Sequence, residues 1–516
     1  MSRRKTPSSR ASSGGTRPPA VHVEARGLKP GPWVVITLLA LALRGVLLLT
    51  GTGVLYPGDH DDFVRWGIQA TDRGVLSLYS EAPARHPWQV WDGQQWVRGY
   101  RNFDRVCNYP PGSAWLLWLS GMVFKAVSTD RLINTVTSHA LFSFWSLVAD
   151  FVTAAGMAAL VWLFRSRAVA LWTYALALFL PPFWWDSIIW AQMDTVLLAP
   201  AIWMVYFMIR QRWLVAGLLW GLALALKPQG ILFVPLWGYA LFAAARFWRP
   251  VLGGVVALAT LLLTALPFQL HSGWAWFQRS YYENLFSTYA HLTTLKAFNI
   301  WYLHLLVTDS LDARAIWLGL SRGAWGKLYL LLALLAGFAL VVWRWRRDPR
   351  GYVLWSTLSL LFFIMLPTEV HERYIVVVLP FLGVLAALTW HVVPALVVMV
   401  ILSMCQMTWP LWLGTKPGTW AEIRQAITRD YEQAVAQSPQ PPAVSLAEVL
   451  RRAEANYWSA RARTAPFEWL MTILALLSSA AIVLACLRLR PGAADSRSPP
   501  ARRPHTSTAY AVRSSP

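Results

Sequence analysis

Cysteine is scarce. Three residues, Cys107, Cys405 and Cys486, lie far apart in a chain of 516. That spacing gives neither a disulfide framework nor a zinc-ligand pattern. Charge is also thin: Asp, Glu, Lys and Arg make up only 14% of the chain, with 25 acidic against 46 basic residues. There is no G-x-x-x-x-G-K-[ST] loop and no G-x-G-x-x-G fingerprint, so a nucleotide-binding fold has no support. No internal repeat is visible, and polar clusters fall at the ends of apolar stretches rather than in their middles. Both facts weigh against a transporter or flippase, whose substrate-binding helices are broken near the midplane.

What the chain has is apolar length. Hydrophobic residues make up 56% of it and the mean hydropathy is +0.42. Apolar stretches of roughly 15 to 22 residues recur from Pro32 to Leu487, close to the length that crosses a bilayer core. Most of the 32 tryptophans flank these stretches, where an amphipathic indole suits the headgroup zone. The net charge of +21 is concentrated in the two tails and in short loops such as Arg344-Trp-Arg-Arg347. This is the positive-inside bias of membrane proteins and does not indicate a nucleic-acid partner.

The expected fold is therefore all-α and polytopic, with about 13–14 transmembrane helices. Residues 1–30 and 488–516 read as disordered basic cytoplasmic tails. Leu38 to Leu49 is expected to belong to a retained helix, not a cleaved signal. Residues 31–413 form the expected transmembrane catalytic domain, with a long outer loop at 53–109. Within that loop, Phe63, Trp66 and Ala70 share helical spacing and predict an amphipathic helix lying in the interface. Trp88 to Tyr100 predicts a hairpin. Tyr109-Pro-Pro opens a second span that ends near Lys125 and Arg131 inside. Leu132 to Phe164 is divided into two helices that meet outside near Asp150, since Arg165 and Arg167 must return to the inside. An outer segment at 414–466 with two amphipathic helices precedes the last span at 467–487.

Four polar clusters then emerge on one face: GDHDD (Gly58 to Asp62), WAQMD (Trp190 to Asp194), LKPQG (Leu226 to Gly230) and HERY (His371 to Tyr374). Charges at lipid-bounded helix ends are costly and usually mark pairing, a polar pathway or chemistry. Transfer of a sugar from a lipid phosphate fits this set. It needs a carboxylate to take the acceptor's proton and cations to steady the departing phosphate. Asp59, Asp61 and Asp62 are candidate bases; helix-dipole residues are the plainer reading for Asp61. Asp150 and Asp194 are further candidate catalytic carboxylates, although Asp150 also reads as a turn residue. Lys227, His371 and Arg373 are candidate phosphate partners, with Lys296 a further cation on the same side. Snorkelling of Lys227 and an internal salt bridge within His371-Glu372-Arg373 are the structural alternatives. Gln192, Gln229, Glu372 and Tyr374 complete the expected substrate-binding set. Trp88, Trp91 and Trp96 suit interface anchoring better than sugar stacking. No cofactor is expected; the D-x-D at Asp59-His60-Asp61 leaves a divalent metal open but supports it only weakly, since such an ion wants more oxygen ligands.

Taken in order, GD-x-x-x-F-x-x-W from Gly58, Y-P-P from Tyr109, the Asp150 carboxylate, W-[GA]-Q-x-D, K-P-Q, A-F-N-x-W from Ala297 and H-E-R-Y resemble a known set. The set is that of a family of bacterial integral-membrane glycosyltransferases of the GT-C superfamily. That family is similar to the mannosyltransferases of GPI-anchor assembly and to the dolichyl-phosphate-sugar enzymes. The resemblance spans about Trp33 to Trp390. It implies a polyprenyl-phosphate sugar donor, an outward-facing site in the bacterial cytoplasmic membrane, inversion at the anomeric carbon, and Asp59 as the base. The implied activity is transfer of a hexose, with mannose expected, to a glycan, lipid or protein acceptor. A lipid-linked oligosaccharide transferase or ligase of related fold is the alternative enzyme. Ala191 stands where W-G-Q-x-D usually carries glycine.

Overall fold

The computed structural model of the protein describes residues 30–50, 57–81, 87–91, 96–100, 106–412, 419–437 and 444–491. The tails expected at 1–30 and 488–516 lie outside the described residues except for 30 and 488–491. The side chains of Trp88, Trp91 and Trp96 lie outside them too.

Among the described residues, six helices are long and apolar enough to cross a bilayer: Gly31–Thr50, Val136–Trp162, Trp248–Ser272, Arg322–Trp345, Trp390–Thr408 and Leu446–Arg488. Arg167–Phe179 and Pro181–Ile189 together are long and apolar enough to make a seventh if they count as one span, and they are bent by 42° where Pro181 and Pro182 interrupt the helical ladder. Shorter apolar helices, Asp194–Ile209, Trp213–Leu226, Pro228–Ala243, Arg350–Met365 and Ile375–Leu388, pack among them. Leu38, Leu39 and Leu49 of the first helix are exposed, as is Leu263 of Trp248–Ser272. Lipid is the solvent that tolerates such faces. The protein is an all-α polytopic membrane protein.

Starts and stops follow the local sequence. Thr135 and Ser138 exchange hydrogen bonds as a capping box at the head of Val136–Trp162. Ser166, Ser321 and Ser445 cap the helices that follow them. Pro228 ends Trp213–Leu226 by forcing the residue before it out of the helical region, and Lys227 is extended at φ −152°, ψ 141°. Small residues then bring backbones together: a Cβ on Gly217 would lie 2.0 Å from the Gly253 carbonyl oxygen.

The bundle has two chemically distinct ends. At one, Arg165 donates to the Ala387 and Leu388 carbonyls at 3.3 and 2.7 Å. Arg344 donates to Leu487 and Leu489 at 2.6 and 3.1 Å. The other end collects the polar clusters.

Two sequence expectations change here. The pair of helices expected between Leu132 and Phe164 is one unbroken 27-residue helix, Val136–Trp162. Asp150 is buried in its middle, not at a turn. The expected second span, Pro111–Val127, does not reach the arginine-rich end. It begins beside Leu226, whose carbonyl accepts Ser113 Oγ at 2.5 Å. It then runs along Pro57–Asp72, with Gly121 seated on Gly67, to Lys125, which pairs with Asp72 at 2.9 Å. Val136–Trp162 starts from that same end, with His139 on the Ile188 carbonyl and Ser146 on the Gln192 carbonyl. At 17 residues, Pro111–Val127 is about 25 Å long, short of the roughly 30 Å hydrocarbon core. Losing one span and fusing two keeps the parity that Arg165 demands.

Pro57–Asp72 is also not a surface helix. Phe63, Trp66 and Ala70 are buried, and so are His60, Asp62, Arg65 and Gln69 on its polar side. The hairpin is present, Pro87–Trp91 pairing antiparallel with Trp96–Tyr100. Trp420–Gln437 is the first helix expected in the outer segment, whereas the second continues through Pro466 into the last span as Leu446–Arg488. Asp309 ties both to the body, accepting from the Trp420 amide at 3.2 Å and from Tyr457 Oη at 2.6 Å.

This arrangement predicts a labelling result. With the native cysteines replaced by serine, single cysteines at Val127 and Ser272 should react with an impermeant thiol reagent from the same side of the membrane. Labelling from opposite sides would restore Pro111–Val127 as a crossing.

Candidate active site

The site is assembled from backbone interruptions. Helix Arg167–Phe179 with its bent continuation ends in a π turn, Trp185–Ile189, and the chain stays out of helical form until Asp194. Ala191, fully buried, adopts φ +57° within that gap. This left-handed geometry gives the glycine usual at that position its physical reason. The gap turns Trp190 and Gln192 toward the N-terminal turn of Pro57–Asp72. Trp190 Nε1 donates to Asp59 Oδ2 at 3.3 Å, and Gln192 Nε2 donates to the same oxygen. Tyr109 Oη donates to Gln192 Oε1 at 3.3 Å and so fixes the amide's orientation. The Asp59 side chain keeps 26% exposure, while the groups holding it are largely buried.

Behind Asp59 lies a charge network. Asp194, the first residue of its helix, is fully buried, accepts from Lys227 Nζ, and is ion-paired with Arg373, whose Nε lies 3.2 Å from its Oδ2. Arg373 Nη1 lies 3.7 Å from Asp59 Oδ2 and 3.4 Å from Glu372 Oε1. Its guanidinium covers the Trp190 ring at 5.8 Å, and Lys227 Nζ stands 5.7 Å from the Tyr109 ring centre. Gln229 Nε2 donates to Tyr374 Oη at 2.7 Å. Burial pushes the Glu372 carboxyl above the ordinary carboxylate range, with Arg373 opposing the shift.

These groups border a cavity of about 350 Å³ lined by Asp59, Asp62, Tyr109, Lys227, Gln229, His371, Arg373 and Tyr374. Gln192, Asp194 and Glu372 support that lining from behind. Lys296 does not line the cavity. Its backbone, at φ +69°, bridges to His371, while the flanking Leu295 exchanges hydrogen bonds with Val370 and Glu372 at 2.9 and 3.0 Å. The A-F-N-x-W motif is likewise scaffolding. Asn299 caps Ile300–Thr308 and donates to the Ile364 carbonyl, and Trp301 Nε1 donates to Leu366 at 2.8 Å, fixing the turn that leads into HERY.

Asp150 stands apart from this set. Its carboxylate is buried against Arg44, at 2.8 Å, and Ser187 Oγ, at 2.7 Å, and does not line the cavity. Its expected position at a helix end depended on a break that does not exist. His60 of the D-x-D packs against His139, ring centres 5.6 Å apart, and burial lowers its pKa to about 3. Among the described residues no group of three or more His, Cys, Asp or Glu side chains is arranged to hold a metal ion. Cys107 is buried, with its thiol pushed up to about 12 by burial, which makes it a poor topology probe.

Sequence reasoning missed Trp190 and Tyr109 as site groups, although both belong to motifs it singled out. It also missed Arg44, whose signal was a lone arginine inside an apolar run.

The family model for Glycosyltransferase family 87 matches residues 108–367. The chain belongs to that family. It is a membrane glycosyltransferase of the GT-C superfamily, as the ordered motifs led one to expect. No curated protein matches it. Among solved structures it is similar to the crystal structure of ArnT from Cupriavidus metallidurans bound to undecaprenyl phosphate. The identity is 14%, the match covers 89% of this chain and 77% of that one, and the TM-score is 0.45.

The Arg44–Asp150 pair makes a prediction that separates architecture from chemistry. Breaking one partner of a buried ion pair costs about 3–5 kcal/mol. Arg44→Ala and Asp150→Asn should therefore lower the melting temperature and folded yield in detergent, while the surviving folded enzyme keeps turnover close to wild type. Normal stability with a hundredfold loss of turnover would return Asp150 to the reaction.

Proposed function

We propose that this family 87 enzyme transfers a hexose, mannose being the expected one, from a polyprenyl-phosphate sugar to a glycan, lipid or protein acceptor, with Asp59 as general base. The observation that carries this reading is the Asp59 carboxylate. It is partly open to the cavity and held from behind by hydrogen bonds from Gln192 and Trp190 and by the nearby Arg373 guanidinium. A base must face the hydroxyl it deprotonates and keep its geometry while doing so. Two donors and the Arg373 guanidinium converge on one oxygen, Oδ2, so among the described residues Oδ1 is the oxygen proposed to take the acceptor's proton.

In the proposed step the acceptor oxygen attacks the anomeric carbon from the face opposite the phosphate. Its proton passes to Asp59 as the carbon–oxygen bond to phosphate breaks, and the electron pair leaves on the phosphate oxygen. The anomeric configuration inverts. The charge network keeps Arg373 at the cavity, where its guanidinium can meet both the carboxylate and the developing charge. Lys227, neutralised by Asp194, lends the cavity polarity rather than net charge.

The arginine-rich end of the bundle supports a cytoplasmic assignment by the positive-inside rule, which turns the cavity outward. On that side nucleotide sugars are generally unavailable, whereas a lipid-tethered donor reaches the site by lateral diffusion. The sequence carries no nucleotide-binding motif that would argue otherwise.

Loss of a general base typically costs about 100- to 10,000-fold. Asp59→Asn in reconstituted protein should lower kcat by at least the smaller factor, with melting temperature unchanged. Near-wild-type turnover would exclude the role. The orientation has its own check: in intact cells or spheroplasts, a cysteine at Ser272 should label and one at Arg347 should not. The reverse pattern would turn the site to the cytoplasm.

A further inference from the structure

The two cations at the heart of the site are already engaged by carboxylates. Lys227 is paired with Asp194, and Arg373 is shared among Asp59, Asp194 and Glu372. The reaction proposed above makes charge at the phosphate. A sugar–phosphate–prenyl diester carries about one negative charge, whereas the prenyl phosphate monoester that leaves carries about −1.5 to −2 at pH 7. That added charge develops in a site whose inner cations are balanced before it appears.

A further cation lines the same cavity. Lys327 is exposed, in the second turn of Arg322–Trp345, and forms no ion pair among the described residues. Glu369, which also lines the cavity, is the acidic group that faces it at longer range. The position of Lys327 is built rather than incidental. The residue before it, Gly326, is buried against the turn ahead of HERY, where a Cβ would lie 2.8 Å from the Thr368 amide nitrogen and 3.2 Å from Trp301 Nε1. Any larger residue at 326 would push the helix, and Lys327 with it, off the cavity rim. From Lys327 the cavity continues along an apolar wall of Leu330, Leu360, Phe363, Ile364, Ile231 and Leu232. A polar floor holding the base, a cation at the boundary and an apolar wall beyond match the order sugar, phosphate, prenyl chain.

We propose that Lys327 is the cation that receives the prenyl phosphate as its bond to the sugar breaks. The inference rests on the lipid-phosphate donor reading and assigns it a residue that the ordered motifs do not contain. Lys327 acts on the phosphate oxygens directly, as a mobile point charge able to follow the leaving group. The plainer role for a lysine at a helix end, reaching for the headgroup region, would place the same side chain there without any preference for the product.

The test uses full-length protein reconstituted in lipid, with a polyprenyl-phosphate sugar as donor and free polyprenyl phosphate as inhibitor. Lys327→Ala and Lys327→Gln should raise the inhibition constant of the free phosphate by roughly 10- to 100-fold, the scale of a lost charge-assisted contact. The KM of the singly charged donor should rise less. Melting temperature should be unchanged, and Lys327→Arg should restore most of the affinity. Equal weakening of donor and product, or no change in either, overturns the assignment of Lys327 and leaves the donor reading intact. A wild-type protein that uses no lipid-phosphate sugar overturns that reading, and the inference falls with it.

Discussion

Asp194 is wholly buried at the head of an apolar helix, and its charge can be tolerated there only because Lys227 and Arg373 reach it. At a lipid-bounded helix end an unpaired carboxylate would be costly, and removing one partner of such a pair typically costs several kcal/mol. That requirement brings three distant segments to one point. The gap after the π turn supplies Asp194, the Lys227-Pro228 break supplies the lysine, and the short turn after His371 supplies the arginine. Once Arg373 is held, its Nη1 can reach the fourth segment, the N-terminal turn that carries Asp59.

The helical breaks and the charges explain each other. A continuous helix through residues 185–194 would leave Gln192 and Trp190 without their present aim at Asp59. A continuous helix through Pro228 would keep Lys227 on a helix surface. The left-handed Ala191 and the extended Lys227 are the two backbone conformations that convert apolar spans into a site. Asn299 and Trp301 play the corresponding part for HERY by binding the carbonyls that precede it.

The site was largely legible because polar residues stand out against an apolar chain. Asp59, Lys227, Gln229, His371, Arg373 and Tyr374 meet at one cavity, with Gln192, Asp194 and Glu372 immediately behind them. What escaped the sequence depends on long-range pairing. Asp150 looked like a turn residue because Arg44, its partner, is 106 positions away. The stretch from Leu132 to Phe164 was divided to return Arg165 and Arg167 to the inside, yet it is one helix whose small residues let other helices press close, as Gly156 does against Ile202. Pro111–Val127 looked like a span because its apolar residues are real, but they face Pro57–Asp72, Val136–Trp162 and Trp248–Ser272 at one end of the bundle. Lys327 belongs to no motif, and its meaning comes from the cavity it borders.

The central claim is that a carboxylate held by this network drives inverting transfer from a lipid phosphate. The most direct measurement supplies reconstituted protein with a polyprenyl-phosphate sugar of known anomeric configuration, together with a candidate acceptor, and no nucleotide sugar. The linkage formed is then read by nuclear magnetic resonance. The account predicts a product of opposite anomeric configuration, with free polyprenyl phosphate released in equal amount. Retained configuration, or transfer that occurs only from a nucleotide sugar, would contradict it.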